Sequence, residues 1–341
     1  MDKEKFDIYV RKENETMNCS FLFYKVFSFI LLILLFILIF SISNKISDVQ
    51  KFLKQNFEYT NNSHNQNISE KIELLKYMTN NNPLKYKGAE NCLLNRNESQ
   101  LCIYNFISPK KVLGKKRILL GKRRDGSYVL LDDFEKVKIA YSFGISKNVD
   151  FDLDLANRGI DIFMYDHTIN HLPLNNSRFH WKKIGLSGTE NKNENMKTLE
   201  ELLEINGHLP EENMILKMDI ENSEWLALSD LSDSILKKFK YIVMEFHFPG
   251  NMTNKRQKLI YEVLKKLHKY HQPFYFRCNF RQNVISFGNN RICALLEVSY
   301  VIRKDNYFIK DDSVYPSFEF DHETPNLKKN EFDVNIFTLF D

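Results

Sequence analysis

Two stretches of the 341-residue chain carry titratable side chains at spacings that suit chemistry. The first is Lys217-Met218-Asp219-Ile220-Glu221-Asn222-Ser223-Glu224-Trp225, in which three carboxylates straddle the step from an apolar strand into a helix. Glu224, near the helix start, complements the helix dipole. Asp219, read inside an apolar strand over residues 214–220, needs a partner or a ligand, because an unpaired buried charge is costly. The second stretch is Met244-Glu245-Phe246-His247-Phe248. Glu245 and His247 share one strand face by the two-residue period. A His beside carboxylates is a reasonable general base for a hydroxyl, although Glu-x-His also reads as a satisfied structural pair.

Two further strand ends carry binding chemistry. Ser142-Phe143-Gly144-Ile145-Ser146 holds one glycine, which permits a tight turn and a close backbone approach by a ligand. Asp166 follows twenty-two residues later in Tyr165-Asp166-His167-Thr168. That is the spacing of the strand-end acid that binds ribose hydroxyls in nucleotide-like cofactor sites. A single glycine is no G-x-G-x-x-G fingerprint, so the two are read together.

Apolar runs suited to buried strands supply those ends: residues 137–143, 160–165, 181–186, 214–220, 241–248, 274–280 and 292–301. Helical patterns lie between several of them. Residues 151–157 stop at Arg158-Gly159, Thr198-Leu199-Glu200-Glu201 is a capping box, Ser223 opens a third helix, and residues 255–270 carry Ile260, Val263, Leu264 and Leu267 on one stripe. Ahead of them, Asp125-Gly126 between residues 117–120 and 127–131 signals a hairpin. Strand–helix alternation implies an α/β, doubly wound, mainly parallel sheet covered on both faces. Its ligand crevice is expected beyond the carboxyl strand ends, at the point where strand order reverses.

Composition narrows the classes. Lys and Arg total 48 against 44 Asp and Glu, a net charge of +4, so the chain presents no general nucleic-acid surface. Hydrophobic residues at 43% exclude wholesale disorder. The five Cys form no CxxC, which argues against a zinc ribbon, and the sequence calls for no metal. Cys92–Cys102 and Cys278–Cys293 are plausible bridges in an oxidising compartment, with four buried thiols as the alternative. Residues 26–44 lack any charge and are long enough to cross a bilayer as an uncleaved signal-anchor. The expected organisation is a cytosolic tail (1–25), the membrane helix (26–44), an Asn-rich stalk (45–90) and one large domain (91–341). Sequons at Asn61, Asn67, Asn97, Asn175 and Asn251 lean toward a domain in the ER or Golgi lumen. A lumenal glycosyltransferase is the rival class, because Asp152 and Asp154 fit a D-x-D metal motif. On a helix ending at Gly159, however, both read as solvated surface charges.

ILKMDIENSEW (215–225) resembles the LK-D-I/V-E-G-A/S-E-W signature of FkbM-like methyltransferases and related membrane-anchored methyltransferase-like domains. RRDGSYVLL (123–131) resembles the family's DGGYV hairpin, residues 141–159 its cofactor loop, and MYDHT (164–168) its second-strand acid. YIVMEFHF (241–248) and LLEVSYV (295–301) resemble the fifth and last strands. The resemblance implies a Rossmann-like seven-stranded methyltransferase sheet with its last strand antiparallel, S-adenosylmethionine as donor, and O-methylation of a sugar or other small hydroxyl acceptor. By position, Ser142, Gly144 and Ile145 would approach the methionine portion, and Asp166 with His167 the ribose. Asp219 and Glu221 would face the reacting centre, with His247 or Asp219 as base and Glu245 beside them. Asn222 stands where the family has Gly, and Asn tolerates the left-handed conformation such a site asks for. The other departure is the Gly-poor cofactor loop; a catalytically inactive binding module is the alternative.

Overall fold

The computed structural model describes residues 106–191, 193–247, 253–278, 284–287, 290–293, 295–311, 313 and 320. The anchor, stalk and Cys92–Cys102 readings lie outside these residues, as do the side chains of Cys278 and Cys293. Among the described residues no helix is long and apolar enough to cross a membrane.

In chain order the elements are β1 (Lys110–Val112), β2 (Arg117–Leu120), β3 (Tyr128–Leu131), β4 (Ile139–Phe143), α1 (Asp150–Asn157), β5 (Asp161–Tyr165), β6 (Phe179–Lys182), β7 (Gly185–Leu186), β8 (Met196–Lys197) and α2 (Leu199–Ile205). Next come β9 (Met214–Met218), α3 (Glu224–Asp230), α4 (Asp233–Leu236), β10 (Phe239–His247), α5 (Asn254–Tyr270), β11 (His271–Cys278), β12 (Val284–Phe287), β13 (Asn290–Cys293), β14 (Leu295–Ile302) and β15 (Phe308–Lys310). Seven strands form one sheet in the order β11-β14-β10-β9-β4-β5-β6. Pairing is parallel from β10 through β9, β4 and β5 to β6, while β14 runs antiparallel to both β10 and β11. The fold is therefore α/β with a mixed, mostly parallel sheet.

Burial explains the apolar runs. All nine residues of β10 are buried, as expected for a strand with neighbours on both edges and layers on both faces. One core joins the sheet to α2, α3, α4 and α5, with Trp225, Leu202 and the α5 stripe Ile260, Val263, Leu264 and Leu267 inside it. On the opposite face α1 and the β2–β3 hairpin cover Ala140, Ile162, Ile215 and Val243. Local signals set the helix starts. Thr198 and Glu201 form the reciprocal capping box that opens α2, a motif that contributes about 1 kcal/mol.

Several boundaries differ from the sequence reading, β10 and β11 among them, which start two and three residues earlier. The run over 181–186 splits into β6, which starts earlier, and the separate short strand β7. The run over 292–301 splits into β13 and β14. β9 ends at Met218, so Asp219 sits past the strand rather than inside it; its backbone N–H turns to donate to Phe143 O at 3.1 Å.

At the start of β11, His271 is fully buried and its Nε2 lies 2.8 Å from Phe239 O. That bond assigns the proton to Nε2. Burial pushes the imidazole down, the Phe239 carbonyl pulls the other way and Arg303 adds to the fall, leaving a pKa of about 4. The unfolded chain thus takes up a proton below pH 6.5 while the folded chain does not until about pH 4. The contribution is complete above pH 6.5 and shrinks as pH falls to 4, by on the order of 3 kcal/mol. Urea unfolding at several pH values should show this slope, and His271→Gln, which cannot gain the proton, should flatten it. An unchanged slope in the variant would contradict the assignment.

Candidate functional site

Chain order within the sheet reverses between β4 and β9: β5 and β6 extend to one side, and β9, β10, β14 and β11 to the other. The carboxyl ends of β4 and β9 are in close backbone contact there. Gly144 has φ +76°, and a Cβ on it would stand 1.7 Å from Asp219 O. The glycine is thus required by the neighbouring strand end itself. Lys217, buried on β9, donates from Nζ to Phe143 O at 3.1 Å and also to Gly144 O. The ammonium thus adds a second donor to Phe143 O, which already accepts from the Asp219 N–H, and supplies one to Gly144 O just past the strand.

Asp166, just past β5, is buried and spends both oxygens on the chain. Oδ2 accepts from the Ile145 and Ser146 N–H groups, each at 2.9 Å. Oδ1 accepts from Thr168 N at 2.8 Å and Thr168 Oγ1 at 2.6 Å. Burial alone would raise this carboxyl, but the donors from Ser146, Thr168 and Ile145 outweigh it and hold it below the usual carboxylate value. Gly144, Asp166 and Asp219 are therefore joined through one short loop, residues 144–146, which Asp166 pins from one side and Asp219 bounds from the other. His167 is exposed and Ile145 buried. Ser142 lies on β4 and is only 1% exposed.

Beyond Asp219 the backbone enters the left-handed region twice, at Glu221 (φ 53°) and Asn222 (φ 77°). Asn222 thus takes up the left-handed conformation that Asn tolerates, and Arg256 donates to its carbonyl and to Oδ1. A Glu in that region is strained, the kind of cost that collects at functional sites. Glu224 heads α3 but does more than face the dipole. It is fully buried, and its Oε1 lies 3.0 Å from His247 Nδ1 and accepts from the His247 N–H at 3.2 Å. His247 Nε2 lies 3.2 Å from Glu221 Oε2 and 3.7 Å from Glu245 Oε2. Burial would push this imidazole down; the hydrogen bond and charge of Glu224, with Glu245 and Glu221, outweigh it and raise the pKa to about 9.

The β10–β14–β11 register extends the polar row across the sheet. Glu245 pairs with Glu297, and Glu297 with Arg277. Arg277 Nε donates to Glu297 Oε2 at 2.8 Å, and its NH2 donates to Ser127 O, which ties the hairpin to the sheet. Burial pushes Glu297 up against the pull of Arg277, with Asp125 and Asp219 adding to the rise. Tyr128 is raised by burial and then by Asp219, Glu297 and Glu245, so the hairpin forms a wall of the same cluster.

Asp219, Glu221, Glu245 and His247 are thus brought together, while Ser142 and Asp166 face inward. Sequence reasoning left Arg277, Glu297 and Asp125 unassigned. The signal was present: a lone Arg in FYFRC and a lone Glu in LLEVSYV, each inside an apolar strand, must find partners across the ladder. Asp152, read as solvated, is 2% exposed beneath β4, and burial raises its carboxyl while the Lys217 charge opposes. Asp154 Oδ2 accepts from Gly121 N at 2.7 Å. A D-x-D cation clamp does not fit such a pair. No protein-family model matches the chain, and no curated protein matches it.

Asp166→Ala would leave the Ile145, Ser146 and Thr168 N–H groups without their acceptor. Lost charge-assisted bonds of this kind cost about 2–4 kcal/mol in total. Chemical denaturation should show that loss, and a variant as stable as the parent would contradict the pinning role.

Proposed function

We propose that the chain is an S-adenosylmethionine-dependent O-methyltransferase acting on a glycan or other small hydroxyl acceptor, held at a secretory-pathway membrane by residues 26–44. The observation that carries this reading is the meeting of Gly144, Asp166 and Asp219 at the reversal of strand order between β4 and β9, where open α/β sheets bind nucleotide-like ligands. The antiparallel β14, last in sequence of the seven strands, also agrees with what the FkbM-like signature implies for the sheet.

The donor supplies an activated methyl group when bound. The chain's own part is positioning, plus a group to receive the acceptor's proton. Gly144, Ile145 and the backbone beside Ser142 form the loop against which the methionine portion would lie. Asp166 serves the ribose side chiefly by fixing that loop, with His167 exposed next to it. Asp219 and Glu221 face the reacting centre. Of the two nominated bases, geometry favours Asp219. It is half-buried at a strand end, whereas His247 is held by the buried Glu224 with its other nitrogen turned toward Glu221 and Glu245. Glu245 shapes the charge around that pair.

An inactive methyltransferase-like module is the second reading, favoured by the intramolecular saturation of both Asp166 oxygens. Calorimetry of the full chain with S-adenosylhomocysteine separates the two: binding is expected, and its absence would favour the inactive module. Asp219→Asn should keep that binding but lower methyl transfer from labelled donor to a hydroxyl-acceptor panel by about 10²-fold or more. A fully active variant would remove Asp219 from the site.

A further inference from the structure

We propose that Asp219, Glu245 and His247 form a binding site for a divalent transition-metal ion at the carboxyl ends of β9 and β10. One ligand atom from each of the three lies within 4.8 Å of the other two. Their placement comes from strand pairing: Met218 and Met244 are in register, so Asp219 and Glu245 come next, side by side, and His247 lies two residues on.

The imidazole is set as a ligand would be. Its Nδ1 is taken by the buried Glu224 carboxylate, which leaves Nε2 facing Glu245 at 3.7 Å and Glu221 at 3.2 Å. Metal-bound histidines characteristically give their second ring nitrogen to a carboxylate in this way. Glu224 is wholly buried, and among the described residues its other oxygen, Oε2, has no hydrogen-bond donor. A divalent ion on Nε2 would replace the ring proton there, so positive charge facing the Glu224, Glu245 and Asp219 carboxylates would be kept as the ion binds. The competing partner of Nε2 is Glu221, whose side chain is 86% exposed; an ion pair with so solvated a carboxylate is weak and easily displaced.

A second set, Asp125, Glu245 and Glu297, meets the same 4.8 Å condition and shares Glu245 with the first. The proposal rests on the first set, because it alone contributes a nitrogen. One imidazole with two carboxylates suits Mn²⁺ or Zn²⁺ better than Mg²⁺ or Ca²⁺. The inference goes beyond methyl transfer and needs no donor to be present.

Mn²⁺ titration of the chelator-treated full chain, followed by the loss of the free-ion electron paramagnetic resonance signal, should show one bound ion per chain. Its spin-echo spectrum should carry modulation from an imidazole nitrogen. His247→Ala and Glu245→Gln should each weaken binding at least 10-fold, and Zn²⁺ should displace the Mn²⁺. Absence of stoichiometric binding, binding without nitrogen modulation, or binding unchanged in both variants would overturn the site. None of these readouts depends on S-adenosylhomocysteine, so failure here and failure of the methyltransferase reading are distinguishable.

Discussion

Between the carboxyl ends of β4 and β9 there is no room for a side chain. A Cβ at position 144 would collide with the Asp219 carbonyl, and the positive φ of Gly144 is one that other residues adopt at a cost. This single close approach fixes the course of the chain beyond both strands. It turns the backbone after Phe143 into the loop that Asp166 pins, and it holds Asp219 at the strand edge rather than within the ladder. Lys217 reinforces the junction by donating to the Phe143 and Gly144 carbonyls, the first shared with the Asp219 N–H. Glu221 and Asn222 then carry the chain through two left-handed residues into α3.

From that junction the polar row grows by register. Parallel pairing of β9 with β10 sets Asp219 beside Glu245, and antiparallel pairing with β14 sets Glu245 opposite Glu297. Arg277 closes the row from β11 and ties it to the hairpin at Ser127. Several carboxylates therefore share a partly dry edge, with His247 and Arg277 as the cations that answer them. Buried carboxylates persist in a fold only with hydrogen bonds and opposing charge, which is why His247 is held so firmly by Glu224.

Much of this was legible in the sequence because the relevant signals are local. The capping box at Thr198, the Asp-Gly hairpin and the α5 stripe each depend on residues a few positions apart, and each element formed where its signal lay. The strand ends at Gly144 and Asp166 were legible for the same reason. What escaped was set by pairing between distant segments. Asp152 reads as a surface charge until α1 is laid against β4, and Arg277 and Glu297 read as isolated until β11 and β14 are paired. The inward use of Asp166 was hidden too, since a strand-end acid serves a ligand or a neighbouring loop with the same residue type. Gly144 likewise reads as a ligand-approach glycine in the sequence, while its nearest constraint in the fold is the neighbouring backbone.

The edge built by Gly144, Asp166 and Asp219 is the proposed binding place of an adenosyl donor. Amide chemical shifts of the isotope-labelled protein during titration with S-adenosylhomocysteine test it most directly. The account predicts saturable shifts concentrated at Gly144, Ile145, Ser146, His167 and Asp219, with little change along α5. Saturable shifts that spare those five amides and gather elsewhere would contradict it.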